Sequence, residues 1–303
     1  MKIKEFQKLL KSLPEEGLDD ISLDDLNFDT SYVMEFLDKN PKFQSTSSEV
    51  YKLFKKLMIA KYALHFHKHE TKEKIIGIDI NFPSISLGAI TSRHFFGIDE
   101  VLIYQFYKKN TKRYKKVADI GCNCGLHSKI LCELGYLVDS YEPDVTHAKF
   151  AKKFLEIYPN NNFNEKAVSN YSGKAIFTKI INNSTGSYIN DKKNGYGPLE
   201  KYEVEVINGF ELSNKYDLIK MDIEGSEADV LSSFDPEIFK KTDIIAEVST
   251  EKTRAILWNF FNRLNIKVYS QKTGWNIVNA IEDLPTSHRE GSIFISENNT
   301  WTN

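Results

Sequence analysis

From Lys115 onward the chain alternates short apolar runs with amphipathic ones, and no other feature limits the fold as much. "KKVADIG" reads as a strand, "GLHSKILCELG" as a helix closed by Gly135, "YLVDSYEPD" as a strand, "THAKFAKKFLEIY" as a helix, and "NFNEKAVSN" as a third strand ending at Lys166 and Ala167. "KAIFTKI" and "YEVEVING" are strand-like around a polar stretch, 181–198, rich in turn formers and read as a loop. Then come a strand "YDLIKMDIE", a helix "SEADVLSSF" and a strand "DIIAEVS". The helix "EKTRAILWNFFNRLN" follows, with Ile256, Leu257, Phe260, Phe261 and Leu264 inward, before two last strands, "IKVYSQ" and "GSIFIS". Strands separated by helices become parallel neighbours through right-handed crossovers, which predicts a doubly wound α/β sheet.

The chain before this alternation has another character. "EFQKLLKSL" is a short amphipathic turn stopped by Pro14, and Thr46 with Glu49 is a capping-box signature opening a longer helix. Val50, Leu53, Phe54, Leu57, Met58 and Leu64 give that helix one apolar face. Residues 75–95 mix β-branched residues with Gly, Pro and Ser and read as the junction. The expected division is a mainly helical region, 1–94, acting as an acceptor-side cap or interaction module, and a catalytic domain, 95–303.

Forty basic against forty-two acidic side chains set up no global field for a polyanion, so no nucleic-acid partner is expected. The cysteines number three (Cys122, Cys124, Cys132), clustered and odd, which fits a reducing compartment better than a disulfide framework. With neither a signal-peptide core nor an apolar run of membrane-span length, the expected location is the cytoplasm. His65 and His69 share a helix face, but no acid or thiol stands nearby at zinc-site spacing, and a basic helix end accounts for them.

The turn "DIGCNCG" follows the first strand, where open α/β sheets meet their ligands. Gly121 and Gly125 are spaced G-x-x-x-G, without the dinucleotide fingerprint or the phosphate-loop Lys-Ser/Thr, which disfavours NAD and ATP. The second strand ends in "SYEPD", where Glu142 is placed to take the hydroxyls of a ribose. A glycine turn without phosphate features, with a ribose acid, suits a nucleoside lacking pyrophosphate, such as S-adenosylmethionine. Gly121, Gly125 and Glu142 carry this reading, and Asp119, Cys122, Asn123, Pro143 and Asp222 are expected donor residues with them, Lys166 and Ala167 edging the adenine. The thiols have no further metal ligands, and His127 on the next helix has no matching partner, so no metal site is expected.

"DLIKMDIEGSE" is the second constellation. Read as a strand, it turns Lys220, Asp222 and Glu224 to one side, and three charges on a buried strand need a cause. One cause is a self-neutralising Lys-carboxylate cluster; the other is chemistry at the rim of the cofactor crevice, with Asp222 orienting or deprotonating a hydroxyl and Lys220 and Glu224 supporting it.

These residues together resemble the FkbM family of S-adenosylmethionine-dependent methyltransferases. Its D-x-G-x-N-x-G turn is matched by Asp119, Gly121, Asn123 and Gly125, and its K-x-D-x-E-G-x-E by Lys220, Asp222, Glu224, Gly225 and Glu227. Glu100 resembles an acidic position that the family often has before the first strand. The resemblance spans about residues 95–296. It implies a class I (Rossmann-like) sheet of seven mostly parallel strands with an antiparallel last one. It also implies S-adenosyl-L-methionine as donor, S-adenosyl-L-homocysteine as product, and methylation of a hydroxyl on a sugar, glycan or other small molecule; a homo-oligomer is compatible with it. Ser249 stands where relatives often have a histidine, which keeps alive a non-catalytic donor-binding or scaffolding protein. His94 is a candidate lid residue, and Tyr188, Tyr196 and Trp275 are candidate carbohydrate platforms.

Overall fold

A computed structural model of the chain describes residues 30–67, 72–87, 90–181, 186–189 and 198–302. Helices α1 (Thr30–Lys39), α2 (Glu49–His67) and α3 (Ile98–Lys109) precede the sheet. Then follow β1 (Lys116–Ile120), α4 (Leu126–Glu133), β2 (Leu137–Tyr141), α5 (Val145–Leu155), β3 (Asn161–Asn164), β4 (Leu218–Met221), α6 (Glu227–Ser233), β5 (Asp243–Glu247), α7 (Glu251–Leu264), β6 (Val268–Ser270), β7 (Asn276–Ile277) and β8 (Ser292–Ile295).

The strands form one sheet in the order β7-β6-β8-β5-β4-β1-β2-β3. Strands β1 to β5 are parallel, and β8 runs antiparallel between β5 and β6. This is the class I methyltransferase sheet, with an eighth strand at one edge. Strand β7 has only two residues, both exposed, and is folded onto β6 by the turn at Gly274; it is too short to leave an alternating pattern in the sequence. The winding reverses between β1 and β4, so the ends of those two strands open a crevice.

Three local expectations are corrected. "NFNEKAVSN" is two strands: β3 ends at Asn164, and Ala167–Ser169 joins a second, four-stranded sheet with Gly173–Ile180, Tyr188–Ile189 and Leu199–Asn208. A tight backbone bond from Lys166 N–H to Asn164 C=O marks the break. The polar stretch 181–198 contributes the short strand Tyr188–Ile189 and so is not all loop. On α7, Leu257, Phe260 and Phe261 are buried and Leu264 packs against the core, but Ile256 faces outward at 45% exposure.

The N-terminal helices share the core of the sheet. One apolar cluster runs from Val33 and Leu37 of α1 through Phe54 and Leu57 of α2 to Ile130, Ile245, Phe294 and Trp301. Thr46 does not cap α2; its hydroxyl donates to the Glu290 carbonyl at 3.3 Å, across the molecule. Segment 5–13, the Leu64 and His67 side chains, His69 and Tyr196 lie outside the described residues.

Buried Gln44 holds this junction. Its Oε1 accepts the indole N–H of Trp275 at 2.7 Å and that of Trp301 at 3.0 Å, and the two indoles stack at 3.6 Å. Trp275 is thus a packing residue, 1% exposed. Replacing Gln44 by Leu leaves two buried indole donors without a partner, at about 1–3 kcal/mol each. Urea unfolding of Gln44→Leu should show a loss of about 2–6 kcal/mol; an unchanged midpoint would remove this anchor.

Candidate functional site

Strand β1 ends in a turn whose shape follows from its neighbours. Gly121 has φ +77°, and a Cβ there would lie 1.8 Å from the Asp222 carbonyl oxygen, so only glycine lets the chain beyond β4 pass this close. Gly125 has φ +83°, and a Cβ would press on Leu155 and Ala151 of α5 at 3.0 and 3.3 Å. Both glycines thus serve packing within the protein.

Asn123, also left-handed at φ +52°, donates its backbone N–H to Glu142 Oε2 at 2.9 Å. Glu142 Oε1 accepts the Asp144 N–H at 2.8 Å. Burial outweighs these two bonds and pushes the Glu142 carboxyl up to about 7. Cys122 and Cys124 are buried, and burial pushes the Cys122 thiol well up and the Cys124 thiol up to about 12, so neither is a ready thiolate.

Strand β4 brings Lys220 under the turn. Its buried ammonium donates to the Gly121 carbonyl at 3.2 Å and faces Asp119 at 3.5 Å and Asp222 at 3.9 Å. Burial would lower its pKa, but Asp119, Asp222 and Glu100 outweigh it and raise it, so Lys220 stays charged. Asp119, 0% exposed, also takes the Ser128 hydroxyl at 2.6 Å.

The strand does not continue as the sequence reading expects. It stops at Met221, so Lys220, Asp222 and Glu224 do not alternate along one strand face. Glu224 takes φ +55°, and a tight turn leads into α6. Glu227 closes that turn by accepting the Gly225 N–H at 2.9 Å and the Ile223 N–H at 3.3 Å; burial pushes its carboxyl up to about 7.

Two cavities result. The first is the crevice at the switch point. Gly121, Asn123, Glu142, Pro143, Lys166, Ala167, Asp222 and Glu224 line it, with apolar walls from Ile120, Tyr141, Val168, Phe177, Tyr188 and Ile189. Asp119, Cys122 and Gly125 are not among its walls. The buried Asn123 Oδ1 and Ser226 Oγ have no hydrogen-bond partner among the described residues, so polar atoms in this crevice await a ligand. The second cavity lies on the other side of Asp222, walled by Lys220, Asp222, Glu247, Glu100, Asp99, Lys55 and His288. Among the described residues only Asp222 belongs to both.

Glu247 is the functional candidate that sequence reasoning passes over. It is the last residue of β5, and its place at a strand end beside the switch point was the available signal. Burial, then the charges of Asp222, Glu224, Glu227 and Glu100, push its carboxyl well above the usual range. The partner of His127 was equally invisible: its Nε2 donates to Glu100 at 2.7 Å, and its Nδ1 meets the Tyr107 hydroxyl at 3.0 Å. Burial raises the Glu100 carboxyl, but His127 and Lys220 outweigh it and hold it low.

His94 is exposed and accepts the Thr91 N–H at 2.9 Å, a local cap. His65 is buried against the rings of Tyr62 and Phe66. Among the described residues no group of three or more His, Cys, Asp or Glu side chains is placed to hold a metal, and no helix is long and apolar enough to cross a membrane.

No protein-family model matches the chain, and no curated protein matches it. Solved structures overlap it loosely. A precorrin-6y C5,15-methyltransferase from Geobacter metallireducens GS-15 is 10% identical, with 65% of this chain and 87% of that one covered, at a TM-score of 0.36. A TehB-like SAM-dependent methyltransferase from Corynebacterium glutamicum is 11% identical over 64% and 88%, at 0.33. Residues 961–1257 of StiE, an O-MT, are 12% identical over 67% and 75%, at 0.36. Overlaps this loose carry no argument about what this chain binds or transfers.

Glu142 makes stability depend on pH in a stated direction. Its folded pKa of about 7 stands above the ordinary 4.5, so the folded chain holds the proton more tightly and this contribution is lost as pH rises from 4.5 to 7. In denaturant series at pH 5 and pH 8, the stability of the native chain relative to Glu142→Gln should fall by up to about 3 kcal/mol on going to the higher pH. A relative stability independent of pH would contradict the raised value.

Proposed function

We propose that this chain is an S-adenosylmethionine-dependent methyltransferase of the FkbM kind, acting on a hydroxyl of a sugar, glycan or related small molecule. The observation that carries the reading is Asp222, which among the described residues alone walls both the switch-point crevice and the second cavity. A donor in the first and an acceptor in the second would meet at this carboxylate.

The crevice suits the donor group by group. Each Glu142 oxygen spends one lone pair on a backbone N–H and keeps another for a ribose hydroxyl. Tyr141, Val168, Phe177 and Tyr188 offer apolar surface to an adenine, with Lys166 and Ala167 at its edge. Asn123 Oδ1 and Ser226 Oγ can meet polar atoms of the donor. When bound, the donor supplies an electrophilic methyl group on a sulfonium.

What remains for the protein is alignment and proton removal. Asp222 orients the acceptor hydroxyl, Lys220 pairs with it from beneath at 3.9 Å, and Glu224 shapes the turn that presents it. Helix α2 reaches the acceptor side through Lys55, which gives the N-terminal region a part in holding the acceptor. Ser249, half-buried with its hydroxyl unpartnered among the described residues, supplies no base and favours the second reading, donor binding without transfer.

S-adenosylmethionine and S-adenosylhomocysteine should raise the melting temperature by several degrees, whereas NAD and ATP should not. Glu142→Ala should weaken S-adenosylhomocysteine at least about tenfold by calorimetry, for the loss of a charge-assisted bond of about 1.5–3 kcal/mol. No shift with either sulfur ligand would sink the donor assignment, and binding without turnover on any hydroxyl acceptor would favour the non-catalytic reading.

A further inference from the structure

The second cavity, of about 160 Å³, is enclosed between α2 and the ends of β4 and β5. In the parallel ladder Met221 pairs with Ala246, so the next residues along, Asp222 and Glu247, stand at the mouths of neighbouring strands. Both line this cavity.

The other charges around it are already engaged. Asp99 accepts the Tyr51 hydroxyl, pairs with Lys55 at 3.2 Å and accepts the Gln271 amide at 3.2 Å. Glu100 holds His127, and Lys220 faces Asp119 and Asp222. Glu247 makes no hydrogen bond or ion pair among the described residues, although it is half-buried and faces the cavity. An unpaired carboxyl in such a place costs stability unless a ligand meets it.

We propose that Glu247 takes the proton from the acceptor hydroxyl in this cavity, and that the acceptor carries neither a carboxylate nor a phosphate. The proposal rests on the methyl-transfer reading above. In the step, the acceptor oxygen forms a bond to the methyl carbon of the sulfonium donor. The carbon–sulfur bond breaks with its electron pair left on sulfur, which becomes a neutral thioether, and the hydroxyl proton passes to a Glu247 oxygen and later to water. Asp222 aligns the same hydroxyl from the neighbouring strand.

The surroundings of Glu247 suit this role. Burial first, and then Asp222, Glu224 and Glu227 from the β4–α6 turn and Glu100 from α3, push its pKa well above the ordinary carboxylate range, the direction that makes a carboxylate a stronger base. Lys220 of β4 and Lys55 of α2 supply the cationic side of the same wall, with His288 beside them, and Asp99 the remaining acid. Lys220 and Lys55 are committed to Asp119, Asp222 and Asp99, so an anionic acceptor would meet unrelieved negative charge.

The test uses the full chain, with S-adenosylmethionine turnover measured on methyl hexosides and amino hexoses against glucuronate and glucose 6-phosphate. Neutral and amino acceptors should be turned over at least about tenfold faster than the acidic ones. Glu247→Gln should lower kcat by about 10²–10⁴-fold while leaving S-adenosylhomocysteine affinity within about twofold, and Glu247→Asp should recover part of the rate. The native kcat should rise with pH through a step above the ordinary carboxylate range, and the residual rate of Glu247→Gln should lack that step.

A Glu247→Gln enzyme that keeps both kcat and the pH step overturns the proton assignment and leaves methyl transfer standing. Equal turnover of glucuronate or glucose 6-phosphate overturns the acceptor class, as does a native chain that binds S-adenosylhomocysteine yet turns over none of the four. A native chain that does not bind S-adenosylhomocysteine overturns the methyl-transfer reading itself.

Discussion

The site depends on one buried ammonium. Lys220 ties the end of β1 to the end of β4, because its three polar neighbours are the Gly121 carbonyl and Asp119 on one side and Asp222 on the other. An ammonium taken out of water costs several kcal/mol unless it is paired and hydrogen-bonded, and so does a carboxylate as enclosed as Asp119. Neither group can be removed alone without stranding the other. Asp222 thereby stays at the rim of the crevice while its backbone carbonyl passes beneath Gly121.

The same tie separates two environments that a single carboxylate must serve. On one side the walls are mostly apolar with a few unpaired polar atoms, which suits an aromatic nucleoside. On the other, charged side chains stand among Ile103, Met221 and Ile245. The N-terminal helices close that second side, and they do so as part of the core: the Gln44–Trp275–Trp301 knot and the cluster from Val33 to Trp301 fix α2 against the C-terminal strands. Lys55 and Asp99 can therefore stand at fixed positions in the wall.

Much of this was legible in the sequence, and what was not has physical causes. Alternating runs revealed the strands and helices of the sheet because period and length survive in any single sequence. Gly121, Asn123, Glu142, Asp222 and Glu224 stand out in the sequence because turns at strand ends restrict residue type, and they line one crevice. Asp119 looked like a ligand residue and is an internal partner of Lys220 and Ser128, since a motif position does not reveal which way its side chain faces. The split of "NFNEKAVSN" between two sheets was hidden, because the two short pieces adjoin in the chain and only tertiary pairing distinguishes them. Glu247, Lys55 and His288 were missed for another reason: they are far apart in the chain and meet only when β5, α2 and the C-terminal turns pack together.

That last group shows where chemistry and stability part. Lys220 and Asp119 are charged and buried, and each is matched, so their placement is explained by the fold itself. Glu247 is half-buried near four other acids, and its side chain has no hydrogen-bond or ion-pair partner among the described residues. Carboxyls left in such a state raise the free energy of the folded chain, and the penalty is relieved only when the proton stays on or a hydrogen-bonding ligand arrives. On the methyl-transfer reading proposed above, a hydroxyl acceptor does the second and, once methylated, leaves its proton behind to do the first. On that reading the acid and the cavity beside it share an explanation in a reaction that releases a proton at the meeting point of two ligands.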